Sequence, residues 1–170
     1  EMMEELGVEW VRAKDYPDYY PDLPGGKIGR GIEVKPFNVR KLKGFQKKSR
    51  IDQGIPAPVK TDDVWLLGRA WSTPDGFWRG TRFVFRTLKG LVLGRREYGM
   101  GPALACTLMY IALKHDIPVW LKSPITKVII EDGRVIGAIV NKEGKDVYIR
   151  TLRGIMLGAG GFARNKEIGR

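Results

Sequence analysis

Three tyrosines in one loop are the side chains of this sequence that could take part in acid–base chemistry. Tyr16, Tyr19 and Tyr20 lie in a stretch punctuated by prolines, which predicts a loop rather than a helix or strand. Loops held by a rigid scaffold often carry active-site residues, although aromatic rings there can also simply pack. A phenol has a pKa near 10, so it acts as a base at neutral pH only when neighbouring groups assist it.

A second candidate site is a glycine cluster near the carboxyl end of the sequence. The apolar run at residues 155–157 predicts a buried parallel strand, and Gly158, Ala159, Gly160 and Gly161 follow it directly. Glycines at such a strand end let a bulky ligand approach the main chain closely, and the ligand that fits this pattern is a dinucleotide. Tight turns also require glycine, so the cluster alone leaves both explanations open.

The elements that would position the glycine cluster lie just upstream of it. Residues 125–130, 134–140 and 146–151 alternate apolar and polar positions, which predicts a three-stranded antiparallel meander. Asp132-Gly133 between the first two segments is a strong hairpin signal, because the turn requires a positive φ that glycine adopts without steric penalty.

A helix and a short strand are predicted before the meander. Ala103–His115 carries apolar residues on nearly every face, which predicts a buried helix. Pro102 just before it suits the first position of a helix. Val119–Leu121 is bracketed by Pro118 and Pro124, which predicts a strand that begins and ends there.

The first half of the chain has fewer periodic segments. Residues 1–14 predict a helix with an apolar edge, and residues 60–70 predict a short helix capped by Thr61 or Asp62. Residues 16–60 are rich in proline and glycine and predict an ordered excursion over the surface. Residues 81–93 carry both a strand pattern and a helix pattern.

Composition limits the possible function classes. With 170 residues, 43% of them hydrophobic, the chain can bury a core, and no apolar run approaches the roughly 18 residues that a membrane span requires. Its one cysteine, Cys106, excludes an internal disulfide and fits a reducing, cytoplasmic compartment. One cysteine and one histidine, His115, form no cluster of metal ligands, so we predict no metal and a structural role for both residues.

The net charge of +11 admits three explanations. The cations concentrate at residues 40–50 and 86–96, and the plainest explanation is a solvated surface. The second segment interleaves apolar and cationic residues, which also suits a peripheral contact with a membrane surface. The third explanation is a function of another class, a nucleic-acid-binding module. Only the positive charge supports it, because the sequence has no base-stacking motif and no groove-reading helix.

Four motifs in this order resemble one enzyme family. The sequence is similar to the FAD-binding flavoproteins of the fumarate reductase and 3-ketosteroid dehydrogenase family at residues 101–104, 117–121, 131–137 and 160–165. The loop at residues 16–26, followed by Gly29-Arg30, resembles the ketosteroid dehydrogenase branch.

The resemblance implies an α/β fold, an incomplete FAD-binding domain of the Rossmann-like, glutathione-reductase type with a three-stranded antiparallel meander. Residues 1–98 would form a peripheral part with a loop near the active site, and residues 99–170 the helix, strand, meander and strand of the FAD-binding domain. No strand followed by Gly-x-Gly-x-x-Gly and a helix is present, so we expect an internal piece of a longer flavoenzyme.

The resemblance also implies FAD as the cofactor, held mainly through main-chain groups. The implied contacts are Val128 with the adenine, and Gly101, Ala159, Gly160 and Gly161 along the cleft.

The implied reaction forms or removes a carbon–carbon double bond beside a carbonyl, on a steroid-like substrate, with an external electron acceptor. Tyr19, with Tyr16 and Tyr20 behind it, would assist a second tyrosine that lies beyond residue 170 and removes a proton while a hydride passes to the flavin. A fumarate reductase-like reaction is the alternative within the family, and it would need arginines that clamp two carboxylates.

Overall fold

The computed structural model describes residues 1–53 and 56–161 and contains two compact units. The first unit is Glu1–Pro118, and the second begins at Val119. The last four residues of the predicted motif at 160–165 lie outside the described residues. The division predicted at residues 98 and 99 stays a prediction.

The described part of the first unit combines four helices with short strands. The helices are α1 (Met2–Glu5), α2 (Thr61–Leu67), α3 (Pro74–Val92) and α4 (Met100–Lys114), with 3₁₀ turns at Val39–Leu42, Phe45–Lys48 and Arg50–Gln53. The strands are β1 (Trp10–Arg12), β2 (Ile32–Val34), β3 (Phe37–Asn38) and β4 (Glu97–Tyr98), paired antiparallel as β1 with β2 and β3 with β4.

The core of the first unit lies between α4 and the segment that follows β2. Val39, Leu42, Ala103 and Cys106 are all at most 2% exposed there. Burial raises the pKa of the Cys106 thiol, as expected for a cysteine that serves as a small core residue.

Helix α4 confirms the predicted helix but corrects its burial. It begins at Met100, and one side of it packs against the core. Leu104 and Leu108 on the other side are 40% and 44% exposed, so the prediction of a helix buried all round is wrong for the described chain. The apolar composition of α4 could not show which of its faces has a neighbour.

The predicted helix over residues 1–14 is wrong. Helix α1 ends at Glu5, and β1 follows it, with Trp10 opposite Val34 of β2. Local spacing favoured a helix, but pairing with a strand more than twenty residues away satisfies the backbone of this segment instead.

Helices α2 and α3 follow each other in the chain and pack together. The predicted helix at residues 60–70 is confirmed as α2, and the ambiguous segment 81–93 is resolved as part of α3. Pro74 opens α3, and the Thr73 hydroxyl caps it by accepting a hydrogen bond from the Gly76 N–H at 3.1 Å.

The cap of α2 differs from the prediction. Lys60 holds the cap position, and its N–H donates to the Asp63 carboxylate at 2.9 Å. Thr61, one of the two predicted caps, instead donates its hydroxyl to Glu33 of β2 at 2.8 Å. Thr61 therefore makes a contact that is distant in sequence instead of capping the helix.

The second unit contains the predicted meander. Strands β5 (Ile125–Glu131), β6 (Arg134–Lys142) and β7 (Lys145–Arg150) pair antiparallel in that order. Asp132 and Gly133 have φ values of 48° and 74°, the positive angles that a two-residue hairpin turn requires. The meander prediction is confirmed, and the second connection is shorter than predicted.

Two further predicted strands are not formed. Residues 119–121 and 155–157 have no strand conformation, and Met156 is 96% exposed. A parallel strand exists through hydrogen bonds to a neighbouring strand, and the described residues supply none beside either segment. The apolar runs alone were therefore insufficient evidence for these strands.

Candidate active site

The three candidate tyrosines line a single surface cavity. This cavity has a volume of about 530 Å³ and also includes Leu23 and Arg30 in its lining. Tyr19 is 94% exposed and Tyr20 73% exposed, whereas Tyr16 is half-buried. The structure thus brings the predicted residues together and leaves the Tyr19 hydroxyl open to a substrate or to another phenol.

Backbone hydrogen bonds close the tyrosine loop, which we define as residues 14–29. The Asp18 N–H donates to the Lys27 carbonyl at 3.0 Å, and the Gly29 N–H donates to the Tyr16 carbonyl at 2.9 Å. The two arms of the loop are therefore joined directly below the segment that carries Tyr19.

An ion pair strengthens this closure. The Arg30 guanidinium donates to the Asp18 carboxylate, which also accepts the Lys27 N–H at 3.0 Å. These two donors, the guanidinium first, lower the pKa of Asp18. Because the pKa of Asp18 is lowered, its contribution to holding the loop closed is fully present above the ordinary carboxyl pKa. This contribution is lost as the pH falls through the lowered pKa, where the carboxylate becomes protonated.

The base of the loop is held from α2. Asp62 accepts the Lys14 N–H at its Oδ2 atom and the Asp15 N–H at its Oδ1 atom, each at 3.1 Å. The Arg79 guanidinium of α3 contacts the Asp15 carboxylate at 3.3 Å. Sequence reasoning placed Asp62 at a local helix cap and so missed this role, because nothing in the sequence relates a carboxylate to a backbone 47 residues away.

The predicted cofactor contacts fall on both units. Gly101 lies in the first turn of α4 and is exposed. A Cβ atom at this position would have no described neighbour within 4 Å. Val128 lies half-buried on β5, opposite Ala138 of β6.

The glycine cluster presents bare main chain. Ala159, Gly160 and Gly161 are exposed, and a Cβ at Gly158, Gly160 or Gly161 would have no described neighbour within 4 Å. No bulky side chain of the described residues fills the space over this backbone, so the segment fits a flat ligand that lies against main-chain atoms.

Comparison with known protein families identifies this ligand. Residues 1–169 match the family described as the FAD binding domain. The chain belongs to this FAD-binding family. The predicted FAD cofactor is confirmed on that basis, and the open glycine cluster agrees with it.

Several curated proteins that this chain resembles are named 3-oxosteroid 1-dehydrogenase. It is 36% identical to the 3-oxosteroid 1-dehydrogenase of Mycolicibacterium smegmatis, over 94% of this chain and 29% of the relative. It is 33% identical to the enzyme of the same name from Mycobacterium tuberculosis strain H37Rv, over 94% of this chain and 30% of the relative. The predicted resemblance to the ketosteroid dehydrogenase branch is confirmed, and the chain spans less than a third of these relatives.

A solved structure shows the same fold. The 3-ketosteroid delta1-dehydrogenase of Sterolibacterium denitrificans, in complex with 1,4-androstadiene-3,17-dione, superimposes with a TM-score of 0.80 at 27% identity. The match covers 95% of this chain and 31% of that one. The predicted α/β FAD-binding fold with an antiparallel meander is therefore confirmed.

Two other observations concern the described residues 1–53 and 56–161. They contain no group of three or more His, Cys, Asp or Glu side chains placed to bind a metal ion. None of their helices has the length and apolar character needed to cross a bilayer.

Replacing Gly161 with valine is expected to reduce FAD binding by the intact protein. Gly161 is preferable to Gly160, which has a φ of +81° and would be strained by any side chain. Valine at position 161 meets no described neighbour, so its effect on FAD content reports contact with the ligand. The measurements are flavin absorbance per mole of purified protein and a titration with FAD, and we expect the affinity to fall about 5- to 150-fold, since overpacking costs roughly 1–3 kcal/mol.

The matched control is Gly158→Val, which also has open space in the described structure but is not among the implied FAD contacts, so it should retain the flavin content of the unmodified protein. If both variants retain the flavin content of the unmodified protein, the assignment of the glycine cluster to FAD is wrong.

Proposed function

We propose that the intact protein is an FAD-dependent dehydrogenase that forms a carbon–carbon double bond beside the carbonyl of a steroid-like ring. The observation that carries this proposal is the exposed Tyr19 on a closed loop, in a chain of the FAD-binding family. Relatives named 3-oxosteroid 1-dehydrogenase support the steroid-like substrate. The neighbour solved with 1,4-androstadiene-3,17-dione supports it independently.

The residues that would hold FAD contribute mainly backbone. Gly101, Val128 and Ala159–Gly161 would position the cofactor through main-chain atoms, since bare backbone allows close approach. The chemistry that FAD supplies when bound is the acceptance of a hydride. This chain then has to orient the substrate and control a proton.

Tyr19 would control that proton. The substrate loses a proton from the carbon beside its carbonyl and a hydride from the next carbon, and the double bond forms between the two. A second tyrosine of the intact protein would take the proton, and the Tyr19 hydroxyl would donate a hydrogen bond to the oxygen of that tyrosine. Such a bond stabilises a phenolate and lowers its pKa towards the working pH.

The test is turnover by the purified intact protein. A 3-ketosteroid with an artificial two-electron acceptor is expected to yield the product with one additional ring double bond, which is measured by its ultraviolet absorbance. Fumarate with a reduced electron donor serves as the competing substrate. Turnover of fumarate without turnover of the steroid would contradict the proposal.

The proposal includes a peripheral contact between α3 and an anionic membrane surface. Trp78, Phe85 and Val92 recur every seven residues on one side of α3 and are 62%, 68% and 87% exposed. Four more exposed apolar residues share this side of the helix: Phe77, Val84, Leu88 and Leu91. An apolar groove of about 480 Å³, lined by Phe77, Phe85 and Leu88 among others, continues this face between α3 and α2.

Charge favours a lipid surface as the occupant of this face. Arg82 and Lys89 stand four residues after Trp78 and Phe85 and are exposed, so they flank the apolar side of the helix. An amphipathic helix with aromatic residues on one face and cations beside it suits an anionic bilayer interface. A steroid-like substrate also partitions into lipid, which would place the enzyme at its source.

Co-sedimentation of the intact protein with vesicles tests the membrane contact. We expect binding to vesicles of phosphatidylcholine with phosphatidylglycerol and much weaker binding to phosphatidylcholine alone. Phe85→Asp is expected to weaken the binding about 10- to 100-fold, since burying a phenylalanine contributes roughly 1.5–3 kcal/mol. Tyr148→Asp, on an exposed position of β7, is the matched control.

Two results would contradict the membrane contact. One is equal sedimentation with neutral and anionic vesicles. The other is a dimer in solution that Phe85→Asp dissociates, which would assign the apolar face of α3 to a second copy of the protein.

A further inference from the structure

Asp62 connects α2 to the base of the tyrosine loop through both of its oxygen atoms. Its Oδ2 accepts the N–H of Lys14, and its Oδ1 accepts the N–H of Asp15, each at 3.1 Å. Two successive peptide groups are thus bound by one carboxylate, and hydrogen bonds to an ionised acceptor are stronger than neutral ones. These peptide groups come directly before Tyr16, the first tyrosine of the cavity.

The helix that supplies Asp62 is itself fixed on either side of this residue. Thr61 donates its N–H to Glu33 of β2 at 2.9 Å and its hydroxyl to the same carboxylate at 2.8 Å. Asp63 is 1% exposed and receives a hydrogen bond from the Arg86 guanidinium of α3. Because its two neighbours are anchored, Asp62 is a rigid support rather than a side chain that follows the loop.

A second contact connects the same corner of the loop to α3. The Arg79 guanidinium lies 3.3 Å from the carboxylate of Asp15, whose N–H is bound by Asp62. Beyond this corner, the hydrogen bonds and ion pair of the loop close it on itself and on Arg30, and the Arg12 guanidinium of β1 donates to the Gly29 carbonyl at its other end. The internal contacts fix the shape of the loop, and the contacts at residues 14 and 15 fix the place of the arm that carries the tyrosines.

We infer that Asp62 is a positioning residue of the proposed dehydrogenation: it fixes the base of the loop that presents Tyr19. This inference rests on the proposed function. Asp62 does not act on the substrate; it acts through the place of the tyrosine hydroxyl, which has to meet the second tyrosine within hydrogen-bond distance. A displacement of about 1 Å in a catalytic group can lower the rate roughly 100-fold.

Asp62→Asn in the intact FAD-loaded protein tests the inference. The amide keeps one acceptor oxygen and presents N–H donors to the other backbone N–H, so one of the two hydrogen bonds is lost and a repulsion replaces it. We expect kcat for a 3-ketosteroid with an artificial acceptor to fall about 10- to 100-fold. KM for the steroid and the FAD content are expected to stay within about twofold, because neither ligand is assigned to Asp62.

Asp75→Asn is the matched control. Asp75 lies on α3 and lines the same surface depression as Asp15 and Asp62. Asp75→Asn removes one negative charge from the same surface depression without touching the tyrosine loop. The kcat of this variant should stay within about twofold of that of the unmodified protein. An equal loss of kcat in both variants would assign the effect to charge and overturn the inference.

Hydrogen exchange supplies a readout that needs no substrate. In Asp62→Asn, the amides of residues 14–20 are expected to exchange at least about tenfold faster, whereas those of β5–β7 should be unchanged. Unchanged exchange at residues 14–20, or an unchanged kcat, would overturn the role of Asp62. A failure of the unmodified protein to oxidise any 3-ketosteroid would instead overturn the proposed function, so the two failures are distinguishable.

Discussion

Replacing Tyr19 with phenylalanine is expected to lower kcat for a 3-ketosteroid about 10²- to 10⁴-fold in the intact enzyme, the range of a positioned acid–base group. Tyr19 is 94% exposed, so it has few contacts within the described chain, and the loss of its hydroxyl should leave the fold intact. KM and FAD content should change little, because the ring that shapes the cavity is retained. The measurement is steady-state turnover with a steroid and an artificial electron acceptor.

The pH dependence separates a catalytic role of Tyr19 from a packing role. A hydrogen bond donated to a phenolate favours the ionised form, so removing the Tyr19 hydroxyl should raise the apparent pKa of the second tyrosine. Because this tyrosine acts as a base in its ionised form, its pKa sets the ascending limb of the kcat profile, and this limb should move to higher pH in Tyr19→Phe. A variant that only disturbed packing would lower kcat without moving this limb.

Two further variants complete the test of Tyr19. Tyr148→Phe removes a hydroxyl from an exposed tyrosine of β7 and should leave kcat unchanged. Tyr20→Phe alters the neighbouring ring in the same cavity and should have a smaller effect than Tyr19→Phe. If Tyr20→Phe causes the larger loss, Tyr19 is not the phenol that assists the second tyrosine.

The parts of the fold that were predictable from the sequence are those formed by local contacts. The meander at 125–150 has its strands adjacent in sequence, and Asp132-Gly133 determines its first turn, so a short window of residues contains the whole signal. Helix α2 was predictable for the same reason. Helix α3 was ambiguous because Phe83 and Phe85 alternate like strand residues, and its apolar period emerges over the full length of the helix.

The wrong predictions all depend on contacts that are distant in sequence. Residues 10–12 form β1 because β2 lies beside them. Residues 119–121 and 155–157 form no strand because no described strand lies beside them. The same limit applies to the site. Tyr19 could be proposed from its loop and its family resemblance, but Asp62 could not, because its role arises when α2 packs beside Lys14 and Asp15.

Asp63 and its two arginines form the ionic contact between α2 and α3. Asp63 is 1% exposed and accepts hydrogen bonds from the Lys60 N–H and from the Arg86 guanidinium. The Arg79 guanidinium lies 3.8 Å from its Oδ1 atom, which accepts no hydrogen bond from the described residues. Arg86 also donates to the Pro58 carbonyl at 2.9 Å, so the chain before α2 is bound to α3 as well.

Asp63→Asn is therefore expected to lower the free energy of unfolding of the intact protein by about 3 kcal/mol. Breaking a buried ion pair by removing one partner costs roughly 3–5 kcal/mol, because the remaining charge stays out of water without compensation. About a third of each arginine side chain, 30% for Arg79 and 33% for Arg86, remains exposed, so water offsets part of this cost and the lower end of the range applies. The measurement is chemical denaturation followed by far-ultraviolet circular dichroism.

The double variant Asp63→Asn with Arg86→Met tests why Asp63→Asn is destabilising. It distinguishes the cost of leaving the Arg86 guanidinium unpaired from the cost of changed packing at position 63. If the cost of Asp63→Asn arises from the guanidinium left without its carboxylate, removing that guanidinium should restore part of the stability, and the two single effects should not add. Asp75→Asn, at an exposed position in the first turn of α3, should cost less than about 1 kcal/mol, as expected for a charge near a helix amino end. Additive losses in the double variant, or equal losses in Asp63→Asn and Asp75→Asn, would show that the ion pair does not stabilise the contact between α2 and α3.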